Sequence, residues 1–185
     1  TDNDLFLKAV TTMYQKEPSH TSAYYLYKLY AGRNDVENAV KYMEEAINSA
    51  ESDNSTDANY LYELATFTFK NGNNAKAYAS AQKAVELDNA LAGKAYMLMG
   101  TIWGSVVCSG NDIEQRAKYW VACDFMNKAK ATDPALTEDA DRAIAQYRRY
   151  FPNTGDAFMC GLEKGASFTV SGGGMSASTI VRTQD

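Results

Sequence analysis

The chain has 185 residues, of which 45% are hydrophobic and 22% charged; this is the composition of a globular domain and excludes a largely disordered chain. No run reaches the roughly 20 apolar residues that a transmembrane helix needs, and no signal segment is found at Thr1. The net charge of -5, with Lys and Arg scattered along the chain, argues against a nucleic-acid-binding surface, because phosphates require clustered cations.

The first predicted element is a helix within residues 1-19. Apolar residues recur at helical spacing through Leu5, Ala9 and Met13, and the pattern stops before Pro18. No partner helix precedes it. We therefore interpret these residues as the second helix of a truncated upstream repeat, and we expect the chain to be a piece of a longer protein.

Residues 20-136 repeat one spacing of small or flexible apolar residues. The repeats are Ala39-x3-Met43-x2-Ala46, Ala77-x3-Ala81-x2-Ala84 and Ala122-x3-Met126-x2-Ala129. Each follows a second apolar pattern, and Gly- and Asn-rich turns separate the two. The second patterns begin at Ala23, Leu61 and Tyr96. A repeat of this kind predicts three stacked pairs of antiparallel helices.

The third pair is longer than the other two. The step from the first anchor to the alanine of the second helix is 16 residues in the first two pairs and 26 in the third. We therefore expect an insertion of ten residues around 105-116. The simplest interpretation extends both helices around a turn at residues 109–112, which would form a protruding tip.

A further helix at 137-151 is predicted after Asp133-Pro134. Its first turn is acidic at Glu138 and Asp139, which favours a helix N-terminus, and the pattern stops before Pro152. We expect this helix to cap the stack, because the last repeat would otherwise leave an apolar face in water.

The composition changes in residues 152-185, where Gly, Ser and Thr dominate. Side chains alternate as in strands at 166–170 and 178–182, on either side of Gly172-Gly173-Gly174. This pattern predicts a short β-hairpin. Because a lone hairpin is only marginally stable in water, we expect it to pack against the final helices.

The helix pairs resemble the tetratricopeptide repeat (TPR). Small residues stand at the helix crossing at Ala65 and Gly100, and aromatic residues follow one turn later at Tyr30 and Trp103. The resemblance covers the three pairs. With the elements above, the expected fold class is all-α: a TPR-like right-handed α-α superhelix with a capping helix and a small C-terminal β-hairpin.

The end of the chain resembles the C-terminal region of one particular family, the exported TPR proteins of Gram-negative gut bacteria. The motifs are Tyr119-Trp120-Val121-Ala122, Tyr147-x2-Tyr150-Phe151-Pro152 and Thr179-Ile180-Val181-Arg182-Thr183. The resemblance implies a protein of the periplasm or cell envelope. The secretion signal of that family is not present in this sequence.

No catalytic site is indicated. The single histidine, His20, has no nucleophile or acid at a suggestive spacing, so we interpret it as a solvated or capping residue. Cys108 and Cys123 are interpreted as buried free thiols, because the predicted register separates them beyond disulfide reach. Neighbouring carboxylates diverge around their helices and do not converge on a metal. We therefore expect no enzymatic activity, no cofactor and no metal site.

A candidate binding groove follows from the TPR resemblance, which implies that the first helix of each pair lines the inner groove. The residues at the equivalent positions are Tyr24, Lys28, Asn59, Tyr62, Thr66, Lys94, Met97 and Thr101. Aromatic, cationic and hydrogen-bonding groups in one strip are typical of a peptide-binding surface. Alternatively, Tyr24 and Tyr62 simply cover neighbouring helices.

The leading hypothesis is a non-enzymatic protein- or peptide-binding scaffold of the bacterial cell envelope that binds through this groove. Its expected partner is a protein or peptide, with no nucleic acid and no transmembrane segment in the chain. The alternative is a structural accessory domain that supports an upstream catalytic or membrane-attached region.

Overall fold

The computed structural model describes residues 2–184, with side chains from Asp4 to Gln184. The α-helices are α1 (Asp2–Lys16), α2 (His20–Gly32), α3 (Val36–Ile47), α4 (Asn54–Lys70), α5 (Asn74–Leu87), α6 (Ala92–Ser105), α7 (Asp112–Arg116), α8 (Lys118–Thr132), α9 (Thr137–Arg148) and α10 (Thr154–Met159). The strands are β1 (Ser167–Gly172) and β2 (Met175–Ile180). Short 3-10 turns lead into α6 and α9.

Three helix pairs form the body of the protein: α2 with α3, α4 with α5, and α6 with α8. The second helix of each pair contributes fully buried small residues, such as Ala39, Ala77 and Ala122. Small side chains allow two helix backbones to approach closely. Gly100 shows this close approach, because a Cβ there would lie 2.8 Å from Met126 Cε and 3.0 Å from the Ala122 carbonyl oxygen.

Polar side chains cap the helices of the first two pairs. Ser19 caps α2, Asp35 caps α3, Asp53 caps α4 and Asn73 caps α5, each by accepting a hydrogen bond from a backbone N–H of the first turn. The turn before α5 also depends on Gly72, whose φ of 80° is accessible to glycine at little cost. The local sequence therefore fixes where these helices begin.

The connection between α6 and α8 differs from our expectation. The prediction that both helices extend into a protruding tip is wrong: residues 106–111 form a non-helical segment, here called the strap, and the short helix α7 follows it. Val106 and Cys108 of the strap are buried, as is Ile113 of α7. These apolar side chains pack against the rest of the protein, so the inserted residues add to the core.

The predicted hairpin is confirmed. β1 and β2 are antiparallel, with Ser167 opposite Ile180 and Gly172 opposite Met175. The turn consists of Gly173 and Gly174 alone, and both have positive φ. Such a two-residue turn matches the twist of a hairpin, so both strands extend closer to the turn than the sequence pattern predicted.

The hairpin packs against α8, in agreement with the expectation that it contacts the final helices. The ring of Phe168 meets the ring of Trp120 edge to face, with centroids 5.7 Å apart. The Thr179 hydroxyl donates a hydrogen bond to the Asp124 carboxylate, and Arg182 forms an ion pair with the same carboxylate. These contacts supply the burial that an isolated hairpin lacks.

The strap and the hairpin hold each other in place. Cys108 of the strap and Gly172 of the hairpin form an isolated antiparallel bridge. The strap is also held by α8, since Lys118 Nζ donates a hydrogen bond of 2.7 Å to the Val106 carbonyl. A Cβ at Gly172 would lie 2.6 Å from Cys108 Sγ and 2.8 Å from the Val107 carbonyl oxygen. The close approach of the two segments therefore requires glycine at this position.

The buried residues form two clusters. The larger contains Trp103 and Trp120 and joins the second and third pairs to Phe151 and to Val170 of the hairpin. The smaller lies around Tyr27 and joins the first pair to α4. α9 packs on α8 and closes the stack. Within residues 2–184, no helix combines the length and the apolar character needed to span a bilayer.

Candidate peptide-binding face

The eight predicted groove residues lie on the first helix of each pair, and we call this set the binding face. α2 carries Tyr24 and Lys28; α4 carries Asn59, Tyr62 and Thr66; α6 carries Lys94, Met97 and Thr101. Lys28, Asn59, Lys94 and Thr101 are exposed, and the other four are half-buried. Each side chain is therefore at least partly accessible from solvent.

On α2, Tyr24 is bound to the neighbouring helix α4. Its ring stacks on the ring of Tyr60, with centroids 4.7 Å apart and planes inclined by 17°. Its hydroxyl donates a hydrogen bond of 2.9 Å to Glu63 Oε2. Tyr24 thus covers a neighbouring helix, as the alternative interpretation proposed, while part of its ring remains accessible.

Lys28 belongs to the same network. Its ammonium group forms an ion pair with Glu63 and lies 5.0 Å from the ring centroid of Tyr24 and 5.5 Å from that of Tyr27. Contacts of a cation with aromatic faces are attractive. The polar groups of the α2 part of the binding face are therefore already engaged within the protein.

Tyr24 is a neutral hydroxyl and Lys28 an ammonium group at neutral pH, because the pKa of each is raised. Burial raises the pKa of the Tyr24 hydroxyl, with Lys28 opposing this effect and Glu63 adding to it. Burial acts to lower the pKa of Lys28, but the Glu63 carboxylate and the Tyr24 hydroxyl outweigh it, so the pKa is raised. One carboxylate is thus held by one cation and one neutral hydroxyl.

The α4 and α6 parts of the binding face are less engaged. Asn59 Nδ2 donates to the Ser55 carbonyl, Thr66 Oγ1 to the Tyr62 carbonyl and Thr101 Oγ1 to the Met97 carbonyl, each within its own helix. Tyr62 packs against the larger core cluster, and burial raises the pKa of its hydroxyl. These parts keep exposed polar groups beside partly buried apolar side chains.

The structure joins some of the predicted residues and not others. Tyr24 and Lys28 are in direct contact. No hydrogen bond or ion pair among the described residues joins the α4 members of the binding face to its α6 members, and Lys94 forms no ion pair there. The binding face therefore has two parts. On α2, Tyr24 and Lys28 form a network with Glu63; on α4 and α6, the other six side chains form a strip without hydrogen bonds or ion pairs between the two helices, here called the α4–α6 strip.

Two residues that organise the face were missed by sequence reasoning, namely Tyr60 and Glu63. Both lie on α4, on either side of the Leu61 anchor and Tyr62. Their spacing of three residues places them on one helix face, and a row of aromatics on α2 opposite could have suggested an internal partner. The sequence alone did not indicate that this partner would be a carboxylate.

The other residues considered for chemistry are His20, Cys108 and Cys123. His20 begins α2, half-buried, with Nδ1 3.3 Å from the Tyr60 hydroxyl, and the cap of α2 is Ser19. Cys108 and Cys123 are free and buried, which confirms the expectation. Burial raises the pKa of Cys123 to about 11, which disfavours the reactive thiolate. Among the residues with described side chains, no group of three or more His, Cys, Asp or Glu could hold a metal ion.

Comparison with solved structures identifies proteins of similar fold. A crystal structure of MamA aligns with a TM-score of 0.60 at 17% identity, over 80% of this chain and 78% of that chain. A second MamA crystal structure gives 0.59 at 18% identity, over 80% and 73%. The TPR2B domain of yeast Sti1, in its complex with pHsp70, gives 0.52 at 21% identity, over 70% of this chain and 96% of that domain.

These comparisons establish the fold. The neighbours are TPR-domain proteins, so the expected fold class is confirmed: an all-α, TPR-like α-α superhelix with a capping helix and a small C-terminal β-hairpin. No protein-family profile and no curated protein matches the chain. The resemblance to exported proteins of Gram-negative gut bacteria stays a prediction.

Proposed function

We propose that the protein is a non-enzymatic scaffold that binds a protein or peptide partner through the binding face. The observation that carries the proposal is the α4–α6 strip, where exposed Asn59, Lys94 and Thr101 accompany half-buried Tyr62 and Met97. Partly buried aromatic and Met side chains provide contact area, and exposed polar groups around them provide specificity.

The class of partner is supported by one fold neighbour. The TPR2B domain of Sti1 is named in a complex with pHsp70, so a domain of this fold binds a protein chain. Lys94 adds a cation without an ion-pair partner among the described residues. We therefore expect a peptide that presents an acidic residue to Lys94 and an apolar residue to Tyr62 and Met97.

A peptide selection tests this function. Peptides are selected from a random library on the wild-type protein, and the dissociation constant of the best peptide is measured for two variants. Tyr62→Ala with Lys94→Ala should raise the dissociation constant by about 30-fold, the effect of losing about 2 kcal/mol at a binding hot spot.

Lys83→Ala on α5 is the matched control, because Lys83 is exposed and lies on the second helix of its pair. It should leave the dissociation constant unchanged. If the double variant binds as tightly as the wild type while its helix content is intact, the binding face is not the site. Equal weakening by Lys83→Ala would indicate non-specific charge attraction.

We also propose that the protein acts in the periplasm or cell envelope. The support is the resemblance of its C-terminal motifs to those of exported TPR proteins. Fractionation of cells that express the natural gene, followed by immunodetection, tests this location. Recovery in the cytoplasmic fraction alone would contradict it.

A further inference from the structure

A cleft of about 790 Å³ lies at the end of the stack, apart from the binding face. We call it the end cleft. Its walls are one face of α8, one face of α9 and the chain segment after β2. The lining residues include Cys123, Asn127 and Lys130 of α8, Asp141, Ile144, Ala145 and Arg148 of α9, and residues 180–184.

The walls of the end cleft are fixed by the fold. The lining residues are spaced by four and three positions on α8 and fall at i, i+3, i+4 and i+7 on α9, so those of each helix share one face. The segment after β2 is held by backbone hydrogen bonds of 2.9 Å from Gly165 to Val181 and from Val181 to Ala166. Arg182 is held in turn by the Trp120 carbonyl, at 3.2 Å, and by Asp124. Contacts within the protein thus shape the cleft.

The interior of the end cleft is largely apolar. Cys123, Phe151 and Val181 are almost fully buried, and Ile144 is half-buried. Ile180 leaves 44% of its surface exposed, so it offers apolar area at the edge of the cleft. Sites for small molecules are mostly apolar clefts of about 300–1,000 Å³ with a few polar groups. The volume and the lining both fit this class.

The side chains that line the end cleft include more cations than carboxylates. Lys130, Arg148, Lys164 and Arg182 line it with the one carboxylate of Asp141, although the chain has a net charge of -5. Lys130 is paired with Asp141, and Arg182 is paired with Asp124, which does not line the cleft. The charge available to attract an anion is therefore chiefly that of Arg148.

Arg148 is the cation best placed for a ligand. It is exposed and forms no ion pair with any residue that the structure describes. Its charge, like that of Arg182, acts on the Cys123 thiol and lowers the pKa of that group against the larger effect of burial. Arg148, Arg182 and Cys123 all line the cleft.

We propose that the end cleft binds a small amphipathic anion, with an acidic headgroup on an apolar body, and that Arg148 is the main partner of the acidic group. The apolar body lies against Ile144, Phe151 and Ile180. Arginine suits this role because its planar group can form two parallel hydrogen bonds with one carboxylate.

Fluorescence titration tests the proposal with anilinonaphthalene sulfonate as the probe and decanoate as the competitor. The probe should bind the full chain at one saturable site, and decanoate should displace it. Arg148→Ala should raise the dissociation constants of both by about tenfold, the expected loss for one charge-assisted contact. Decanol, which has the same apolar body without the charge, should compete at least tenfold more weakly.

Two further variants keep the test decisive. Arg142→Ala removes an exposed arginine of α9 that pairs with Glu138 and Asp139 and does not line the cleft, so it should bind the probe as the wild type does. Ala145→Trp fills the cleft from an exposed helix position and should abolish probe binding without changing the thermal transition.

Several outcomes would overturn the proposal. It is wrong if Arg148→Ala and Ala145→Trp both bind the probe normally, or if neither probe nor decanoate binds the wild type. Displacement by an oligoglutamate peptide but not by decanoate would replace it with a site for acidic peptides. The variants of Tyr62 and Lys94 should bind the probe unchanged, so failure here is distinguishable from failure of the proposed function.

Discussion

The second and third helix pairs share one spacing of small residues but differ in how their helices are joined. α4 and α5 are connected by residues 71–73, a turn that glycine and a capping asparagine complete locally. α6 and α8 are connected by the strap and α7, and the strap is held by contacts with the hairpin. The same helix packing thus accommodates a connection stabilised by neighbouring residues and one stabilised by residues far along the chain.

The third pair is stabilised in part by the hairpin, unlike the turn of the second pair. In the second pair, capping and packing of α4 on α5 are sufficient to place the turn. In the third pair, Trp120 and Asp124 of α8 contact the hairpin as well as the helices around them. We therefore expect substitutions in the third pair to affect the hairpin, and those in the turn of the second pair to remain local.

The largest expected effect is that of Trp120→Ala. The ring of Trp120 is fully buried and meets both Phe168 and Phe151 edge to face, so its removal leaves a cavity between α8, the hairpin and the cap. The free energy of unfolding in urea should fall by about 3–5 kcal/mol.

Trp120→Phe is the control for this prediction. The indole N–H forms no hydrogen bond with the described residues, so phenylalanine loses volume but no polar contact. Its loss should be less than half of that in Trp120→Ala. An alanine variant as stable as the wild type would show that the hairpin is not part of the third pair's core.

Gly100→Ala is expected to have the next largest effect. The new methyl group would meet the Ala122 carbonyl oxygen, which belongs to the backbone and cannot move aside. Thermal denaturation should give a loss of about 1–3 kcal/mol through overpacking.

In the second pair the equivalent position holds Ala65, which is fully buried, so a methyl group is tolerated there. Gly32→Ala serves as a control, since a Cβ there has nothing within 4 Å. It should be neutral or slightly stabilising, by about 0.5 kcal/mol. If Gly100→Ala is equally harmless, α6 and α8 lie further apart than described.

Asp124→Asn tests the polar link between α8 and the hairpin. Asn loses the charge that holds Arg182, which is mostly buried, and weakens the hydrogen bond from Thr179. The loss in free energy of unfolding should be about 1–2 kcal/mol. Asp112→Asn, which affects an exposed pair with Arg116, should cost under about 0.5 kcal/mol. Equal effects of the two would mean that the hairpin link is a surface contact.

The smallest expected effect is that of Gly72→Ala in the turn of the second pair. The residue has a positive φ and open space around it, so the cost is backbone strain alone, about 1 kcal/mol. Hydrogen exchange should show weaker protection only at the ends of α4 and α5. Weaker protection in the hairpin would contradict the local character of this pair.

The helix pairs and the hairpin could be predicted from the sequence because their signals are local. Ala77, Ala81 and Ala84 repeat at helical spacing, and the glycines at 172–174 separate two alternating segments. The strap could not be predicted, because Val106 and Cys108 depend on a hairpin more than 50 residues further along the sequence. Spacing revealed the insertion but not its conformation.

The candidate sites show the same division. Position in the repeat predicted which residues lie on the first helices, and the structure places all eight there. It did not predict that Glu63 would engage Tyr24 and Lys28. The end cleft was missed entirely, because Arg148 and Arg182 come together only when α9 and the segment after β2 are packed on α8.

The tip of the hairpin also touches the second pair, since a Cβ at Gly174 would lie 3.3 Å from the Cβ of Ala75 on α5. This contact joins residues about 100 positions apart in the sequence, and contacts of such separation slow folding. During synthesis, α5 and α6 are complete well before the hairpin exists. The contacts of the hairpin with α5 and with the strap can therefore form only after both helix pairs have been synthesised.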